Sequence, residues 1–144
     1  NMDRKAASTR TVDHNNSGVP LPWREALRMP GANQVRHLVD TFTAIDFWRL
    51  RPAPDVLLDQ PGVADPAAFV AVSTSAADDL LVAYTPTSEP LAFHADLLPR
   101  QTTASWVDPR TGGRSQAAVI DQDTILRFTP PGDGDWVLVM TPTW

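Results

Sequence analysis

Acidic, histidine and aromatic side chains are the residues of this sequence whose types could do chemistry or bind a ligand. Two pairs of acids stand close together, Asp78 with Asp79 and Asp121 with Asp123. A glycosidase needs two carboxyl groups about 5–10 Å apart across a sugar cleft. Both pairs fall between apolar runs, however, where Asp is typical of a solvated turn. We therefore interpret both pairs as turn residues.

Histidine offers a second kind of chemistry, as a metal ligand or a general base. His14, His37 and His94 occur singly, and their spacing is not that of a metal site. The chain has no cysteine, which excludes disulfides and thiolate metal sites. No serine stands in a nucleophile elbow, and no glycine-rich stretch is typical of a phosphate-binding loop. The sequence accordingly predicts no catalytic residue, no metal site and no cofactor.

Tryptophan is the remaining residue type that could bind a ligand, because its flat ring offers a large contact area at little entropic cost. Trp23 and Trp48 flank a predicted helix, which favours contact with a neighbouring domain. Trp106 and Trp136 lie in predicted strands, which favours core packing. Trp144 is terminal. From this set we name Trp48 and Trp106 as the candidate ligand-binding residues.

The charge of the chain argues against two classes of partner. The 144 residues carry a formal net charge of −5, and Lys5 is the only lysine. Because proteins that bind nucleic acid usually present a basic face, we expect neither nucleic acid nor an anionic membrane as a partner. No apolar run is long enough to span a membrane, and residues 1–17 lack the apolar stretch of a signal peptide. The compartment stays open, with an extracellular or periplasmic location among the alternatives.

An amphipathic helix is the clearest element that the sequence predicts. Apolar residues recur at steps of three and four, which predicts a helix over residues 31–46. Its apolar stripe consists of Val35, Leu38, Val39, Phe42 and Ile45. A short helical turn is predicted before it at 22–27, and the two prolines in 51–54 predict a linker and a domain boundary after it. Residues 1–19 are polar and are predicted to be irregular.

Short apolar runs separated by turn residues follow the helix and are typical of antiparallel strands. Fourteen prolines also favour many short elements over a helical bundle. The predicted strands are 69–73, 80–85, 91–94, 103–107, 117–120, 125–128 and 136–141. We therefore expect a mainly β fold: a small antiparallel β-sandwich over 55–144, preceded by a helical segment, 20–54, with one amphipathic helix.

Two of the predicted strands are apolar on both faces. In 80–85 and in 136–141 neither face carries the polar residues that a solvated sheet face shows. We therefore expect the outer face of at least one sheet to be covered. The helix at 31–46, with its own apolar stripe, is the nearest cover.

Two stretches, taken together, resemble a known family. The first runs through Trp-Arg-Glu-Ala-Leu at 23–27, Pro-Gly-Ala at 30–32, Gln-Val-Arg-His-Leu at 34–38 and Phe-Trp-Arg-Leu-Arg-Pro at 47–52. The second runs through Leu-Val-Ala-Tyr-Thr-Pro at 81–86, Ser-Trp-Val-Asp-Pro-Arg-Thr-Gly at 105–112, Phe-Thr-Pro-Pro-Gly at 128–132 and Asp-Trp-Val-Leu-Val at 135–139. In this order they are similar to the C-terminal part of the apiosidase-like glycoside hydrolases, over roughly residues 20–144.

The resemblance implies a TIM-type barrel followed by an accessory β-sandwich, which is described as a collagen-binding domain of a collagenase. Residues 20–50 would be the last helical part of the barrel, and 55–144 the sandwich. The catalytic acids would lie upstream, since a barrel needs about 200 residues or more, and no catalytic residue is carried over. The implied function is to brace the upstream barrel of the same protein and to bind polysaccharide. A collagen- or other protein-binding module is the alternative.

Three residues of the second stretch also have a plain physical role. Asp108 can bond to its own downstream backbone, the proline after it fixes φ, and Gly112 permits a positive φ. Arg110 can pair with Asp108 or with a carboxylate of another strand. The pattern predicts a structural turn formed by Asp108, Arg110 and Gly112.

Overall fold

The computed structural model of the chain describes residues 22–100, 102–122 and 124–142. Within these ranges two α-helices come first, Trp23–Ala26 (α1) and Pro30–Thr43 (α2). The strands that follow are Leu50–Pro52 (β1), Ala71–Ser75 (β2), Leu81–Thr85 (β3), Leu91–His94 (β4), Thr102–Val107 (β5), Arg114–Gln116 (β6), Val119–Gln122 (β7), Ile125–Phe128 (β8) and Trp136–Pro142 (β9). The predicted irregular segment 1–19, with His14 in it, lies outside the described residues, as do Asp123 and Trp144.

The strands form two antiparallel sheets. One sheet has six strands in the order β1-β2-β3-β9-β5-β6, and the other has three in the order β4-β8-β7. Each pairing between these neighbours is antiparallel. The prediction of a mainly β, antiparallel fold preceded by one amphipathic helix is therefore confirmed. We refer to the two sheets, residues 50–142, as the body.

Two strands have no counterpart in the sequence prediction. The prediction placed residues 51–54 in a linker because of their two prolines, whereas β1 extends from Leu50 to Pro52. The residues of β6 are all exposed, and this edge strand is held by its pairing with β5. A short polar strand carries no hydrophobic period, so its neighbour alone decides that it is extended.

The two sheets enclose a core between their facing sides. Trp106, Phe93 and Phe128 are its largest side chains, and each is exposed by 2% or less. Phe93 of β4 and Phe128 of β8 meet edge to face, with 5.9 Å between their ring centroids. Burial of an apolar side chain of this size stabilises the fold by about 1.5–3 kcal/mol. This core is therefore a main stabilising contact between the sheets.

The six-stranded sheet is apolar on its outer face as well. Because side chains alternate along a strand, Leu81 and Ala83 face the other sheet while Leu80 and Val82 face outward. The outward residues form a second cluster, the outer cluster, whose buried members are Ile45, Leu80, Val82, Val107, Val137 and Val139. Ile45 belongs to the helical segment. The prediction that this segment covers an outer sheet face is confirmed.

The start of α2 agrees with the sequence, and its end comes slightly earlier than predicted. Pro30 is the first residue of the helix, a position where its missing N–H costs no hydrogen bond. Thr43 is the last, and its Oγ1 donates a hydrogen bond to the carbonyl oxygen of Val39 at 2.8 Å. Residues 44–46, predicted to be helical, form a turn. No helix among the described residues has the length and apolar character needed to cross a membrane.

The apolar stripe of α2 does not pack on the body along its whole length. Phe42 and Ile45, at its C-terminal end, contact the outer cluster. Val35, Leu38 and Val39 are each more than half exposed. The stripe therefore covers the sheet with one end and presents the rest to solvent.

An ion pair fastens the end of the helical segment to the body. Arg49 lies in the 3₁₀ turn Phe47–Arg49 and pairs with Asp79, and the Oγ of Ser75 donates a hydrogen bond to the same carboxylate at 2.6 Å. β1 follows at once and pairs with β2. The prediction of a linker at 51–54 is wrong, because this stretch begins as a strand of the larger sheet. The domain boundary placed there stays a prediction.

We predict that Ile45→Ala destabilises the chain far more than Leu38→Ala, although both residues belong to one stripe. Ile45 is 8% exposed, so its truncation leaves a cavity and lowers the free energy of unfolding by about 2–5 kcal/mol. Leu38 is 54% exposed, and its truncation changes that free energy by about 0.5 kcal/mol or less. Urea unfolding of the two variants measures both values, and equal losses would contradict the packing described.

Candidate functional site

Exposed aromatic residues of the helical segment form the first candidate binding surface. Trp48, a predicted ligand contact, is 62% exposed. Phe42 meets Phe47 edge to face, with 6.3 Å between the ring centroids and 81° between the ring planes. Phe47 meets Trp48 in the same way, at 5.7 Å and 75°. Rings so inclined form no coplanar row on which sugars or prolines could stack. The assignment of Trp48 as a ligand contact stays a prediction, and the geometry around it favours packing against another protein surface.

Trp106, the second predicted ligand contact, is buried in the core. Its side chain is 1% exposed and meets Trp136 edge to face at 6.5 Å between ring centroids. Its Nε1 is buried without a hydrogen-bond partner among the described residues. A ring in this position cannot reach a ligand at the surface. We therefore correct the assignment: Trp106 is a packing residue, as the strand position of the tryptophan had already favoured.

The predicted turn formed by Asp108, Arg110 and Gly112 is present between β5 and β6. The backbone N–H of Arg110 donates to Asp108 Oδ1 at 2.8 Å, and the N–H of Gly112 donates to the carbonyl oxygen of Asp108 at 2.8 Å. Arg110 Nε also donates to Asp108 Oδ1, at 2.9 Å. The Arg110 guanidinium thereby holds the pKa of the Asp108 carboxyl below its usual range. Both charges are satisfied within the turn.

The turn also touches α2, and it can come this close because Gly112 has no side chain. This glycine has a φ of +74°, which L residues rarely adopt. A Cβ atom built on it would lie 2.6 Å from Nδ1 of His37. A groove of about 300 Å³ runs along this contact, between α2 and the β5–β6 hairpin. Thus His37 is a packing contact between helix and hairpin, not part of a cluster of histidines.

Arg110 makes a further contact on the other side of the turn. Its guanidinium lies 5.8 Å from the centroid of the Trp136 ring, within cation–π range. Trp136 Nε1 donates to the carbonyl oxygen of Gly132 at 2.8 Å.

Tyr84 lies on the outer sheet face, 39% exposed, where burial and the nearby Asp135 raise its pKa. Tyr84 was not among the predicted site residues, since nothing in its strand distinguishes it.

A cleft lies between the β2–β3 turn and the segment after β4. It has a volume of about 570 Å³, and its polar lining residues are Asp78, Asp79, Asp96 and Arg100. Arg49 and Ser75 both bond to the Asp79 carboxylate and lower its pKa. A carboxylate held in the ionised form by two donors is unsuited to general acid catalysis. Its pairing with Arg49, thirty residues away, left no local signal in the sequence.

The remaining candidate residues are not brought together. His94 ends β4, whereas His37 lies on α2. Asp78 lies in the β2–β3 turn with a φ of +51°, as expected of a turn residue. Among the described residues, no group of three or more His, Asp or Glu side chains could hold a metal ion.

Comparison with known proteins links the chain to one family and to one class of enzyme structures. The sequence model of a family described as "Putative collagen-binding domain of a collagenase" matches residues 52–141. A solved structure named "Glycoside hydrolase" is similar with a TM-score of 0.71 and 21% sequence identity, over 88% of this chain and 28% of that one. A family 5 glycoside hydrolase from Bacteroides vulgatus ATCC 8482 is similar with a TM-score of 0.70 and 19% identity, over 85% of this chain and 26% of that one. None of the curated proteins matches.

Both structural matches extend beyond the region of the family match. Residues 52–144 make up less than two thirds of the chain, so a coverage of 88% or 85% includes residues before position 52. The helical segment is thus part of the shared fold. The chain spans little more than a quarter of the length of either structure, and identities of this size show a shared fold alone.

We predict that Gly112→Ala destabilises the chain and that His37→Ala restores part of the loss. The new methyl group would strain a positive φ and meet His37 at 2.6 Å, which together cost about 1–3 kcal/mol. Removing the imidazole relieves the clash but not the backbone strain. Thermal unfolding of the two single variants and the double variant separates the cost of the clash from the cost of the backbone strain. Full additivity would contradict a contact between turn and helix.

We predict that the Arg49–Asp79 pair makes stability fall in acid. The pKa of the Asp79 carboxyl in the folded state lies below the unfolded value of about 3.9. The contribution of the pair to the free energy of unfolding is therefore complete above about pH 3.9, and it is lost as the pH falls through the folded-state pKa. Urea unfolding at pH 7 and between pH 4 and 2 measures this loss. In Arg49→Met the acid dependence should be weaker than in the wild type, and an unchanged pH profile would contradict the assignment.

Proposed function

The chain belongs to the family described as "Putative collagen-binding domain of a collagenase", and from this membership we propose that it is the non-catalytic, C-terminal accessory domain of a glycoside hydrolase. Its role is to brace the upstream catalytic barrel and to hold polysaccharide beside it. The observation that carries the proposal is the structural match to two glycoside hydrolases, which includes both the body and the helical segment. The chain is a quarter of such a molecule, and the catalytic activity would belong to the rest.

The described side chains support a non-catalytic role for this part of the enzyme. Asp79 is engaged by Arg49 and Ser75, and Asp108 is engaged by Arg110. Both carboxylates stabilise turns or joints rather than face an apolar cleft, where a catalytic acid acquires a raised pKa. The chemistry of hydrolysis is accordingly assigned to the upstream barrel.

We propose further that the parent enzyme is apiosidase-like. The support is the order of the sequence runs, above all Trp-Val-Asp-Pro-Arg-Thr-Gly at 106–112 and Pro-Gly-Ala at 30–32. In the structure these two runs belong to the β5–β6 turn and to the start of α2. The turn and α2 touch at Gly112 and His37, so the first run takes part in the joint between the body and the helical segment, and the second begins the helix that makes this contact.

A collagen- or protein-binding module is the second candidate, and the family description is what favours it. An extended proline-rich ligand is usually held in an aromatic-lined groove. The exposed rings of Phe47 and Trp48 are inclined by 75° to each other, which does not provide parallel walls for such a ligand. The same inclination offers no stacking row for sugars either, so we rank the accessory role in a glycoside hydrolase first because of the structural matches.

We predict that the purified chain releases no reducing sugar from a panel of plant and microbial polysaccharides, and that it binds at least one of them saturably. Trp48→Ala should weaken that binding by about tenfold if the exposed ring contributes about 1.4 kcal/mol. Trp106→Phe, at a buried position, is the matched control and should bind as the wild type does.

Native collagen is tested in the same assay. Binding to collagen without binding to any polysaccharide would support the alternative function. Release of sugar by the chain alone would contradict a non-catalytic role. An effect of Trp106→Phe equal to that of Trp48→Ala would show that altered folding, not ligand contact, explains the loss.

A further inference from the structure

A large apolar surface remains exposed on the helical segment. Eight large apolar residues between positions 23 and 48 are each at least 47% exposed: Trp23, Leu27, Met29, Val35, Leu38, Val39, Phe47 and Trp48. We call this set the helical face. Isolated exposed apolar residues are ordinary, but a concentration of them in one segment marks an interaction surface.

Before Phe42, the exposed apolar residues of α2 and the residues that lie toward the body are on different sides of the helix. Gln34, His37 and Thr41 are less exposed and lie toward the body, as does Phe42 at the C-terminal end of the helix. At about 100° per residue, Val35, Leu38 and Val39 are centred about a third of a turn away from them. Up to Phe42, whose side chain packs on the body, the apolar residues of α2 are therefore turned partly away from the body, and they stay exposed in this chain.

The position of α2 is nevertheless fixed. Ile45 is buried in the outer cluster, the Arg49–Asp79 pair closes the end of the segment, and His37, at the middle of α2, abuts Gly112. A surface held at three places is presented in a defined orientation. That is what a docking surface requires, since ordering a loose segment on binding would cost affinity.

The charges of the two parts of the chain differ in sign. Residues 22–51 contain five arginines and three acids, whereas residues 52–99 contain seven acids and no arginine or lysine. Arg24 lies 5.1 Å from the centroid of the Trp23 ring, and Arg36 is 3.8 Å from Asp40 in an exposed pair. Arg36 and Arg49 are paired with acids, but five arginines against three acids leave residues 22–51 with an excess of positive charge, which complements an apolar surface bordered by acidic side chains.

We propose that the helical face is the docking surface for the catalytic domain of the same polypeptide, which contacts it with apolar side chains bordered by Asp or Glu. This inference rests on the proposed function. It is carried by the structural matches, which include residues before position 52 and continue into glycoside hydrolases about three times as long.

The test compares hydrogen exchange in the isolated chain and in the full-length enzyme. Docking should slow amide exchange in α2 by about tenfold or more in the full-length enzyme. The double substitution Leu38→Asp with Val39→Asp should abolish this difference. Because both residues are exposed in the isolated chain, its unfolding temperature should change by about 2 °C or less.

Val63→Asp is the matched control, since Val63 is an apolar body residue that is 87% exposed. It introduces the same chemical change outside the helical face and should leave the exchange of α2 unchanged. Arg28→Glu tests the excess of positive charge, and it should reduce the protection more at low salt than at high salt.

The possible failures are distinguishable. A full-length enzyme that hydrolyses glycan but shows the same α2 exchange as the isolated chain would overturn the docking surface and leave the proposed function standing. A full-length polypeptide without a glycoside hydrolase activity would overturn the proposed function itself. Protection that rises with the concentration of the isolated chain, and that Leu38→Asp with Val39→Asp removes, would identify a second copy as the occupant and overturn the proposal.

Discussion

Burial of the outer face of the six-stranded sheet is the constraint on which the rest of the structure depends. Val82, Val137 and Val139 face away from the core between the sheets, so they require a second cover. Ile45 supplies it from the helical segment, with Phe42 and Leu50 beside it. Exposed apolar area on this scale would oppose folding by roughly 25 cal/mol per Å². The body therefore holds the helical segment as part of its own fold.

The same contact sets the orientation of the proposed docking surface. α2 lies on the sheet with one end of its stripe, and it is held by the turn at Gly112, which abuts its middle, and by the ion pair at Arg49, which follows its C-terminal end. The remaining apolar side chains are then exposed in a fixed direction. A domain that braces another needs this combination, because a rigid joint transmits position and an apolar face supplies binding energy.

The aromatic residues divide between these two tasks. Trp106 and Trp136 stabilise the end of the core next to the β5–β6 turn, where Arg110 lies over the second ring. Trp23 and Trp48 are exposed on the helical segment. The edge-to-face geometry around Trp48 is typical of side chains that interdigitate with another surface. These assignments agree with an accessory domain in which protein contact precedes ligand contact.

The sequence by itself determined the mainly β class, the amphipathic helix and the turn at Asp108–Gly112, because hydrophobic period and turn chemistry are local properties. It did not reveal β6 or the strand character of β1, whose pairing partners are distant in sequence. It also treated Trp48 and Trp106 as equals, whereas the structure exposes the first and buries the second. A periodic pattern shows which side chains share a face, but only tertiary packing decides what that face meets. That is why the stripe of α2 was predictable and its division between a buried end and an exposed remainder was not.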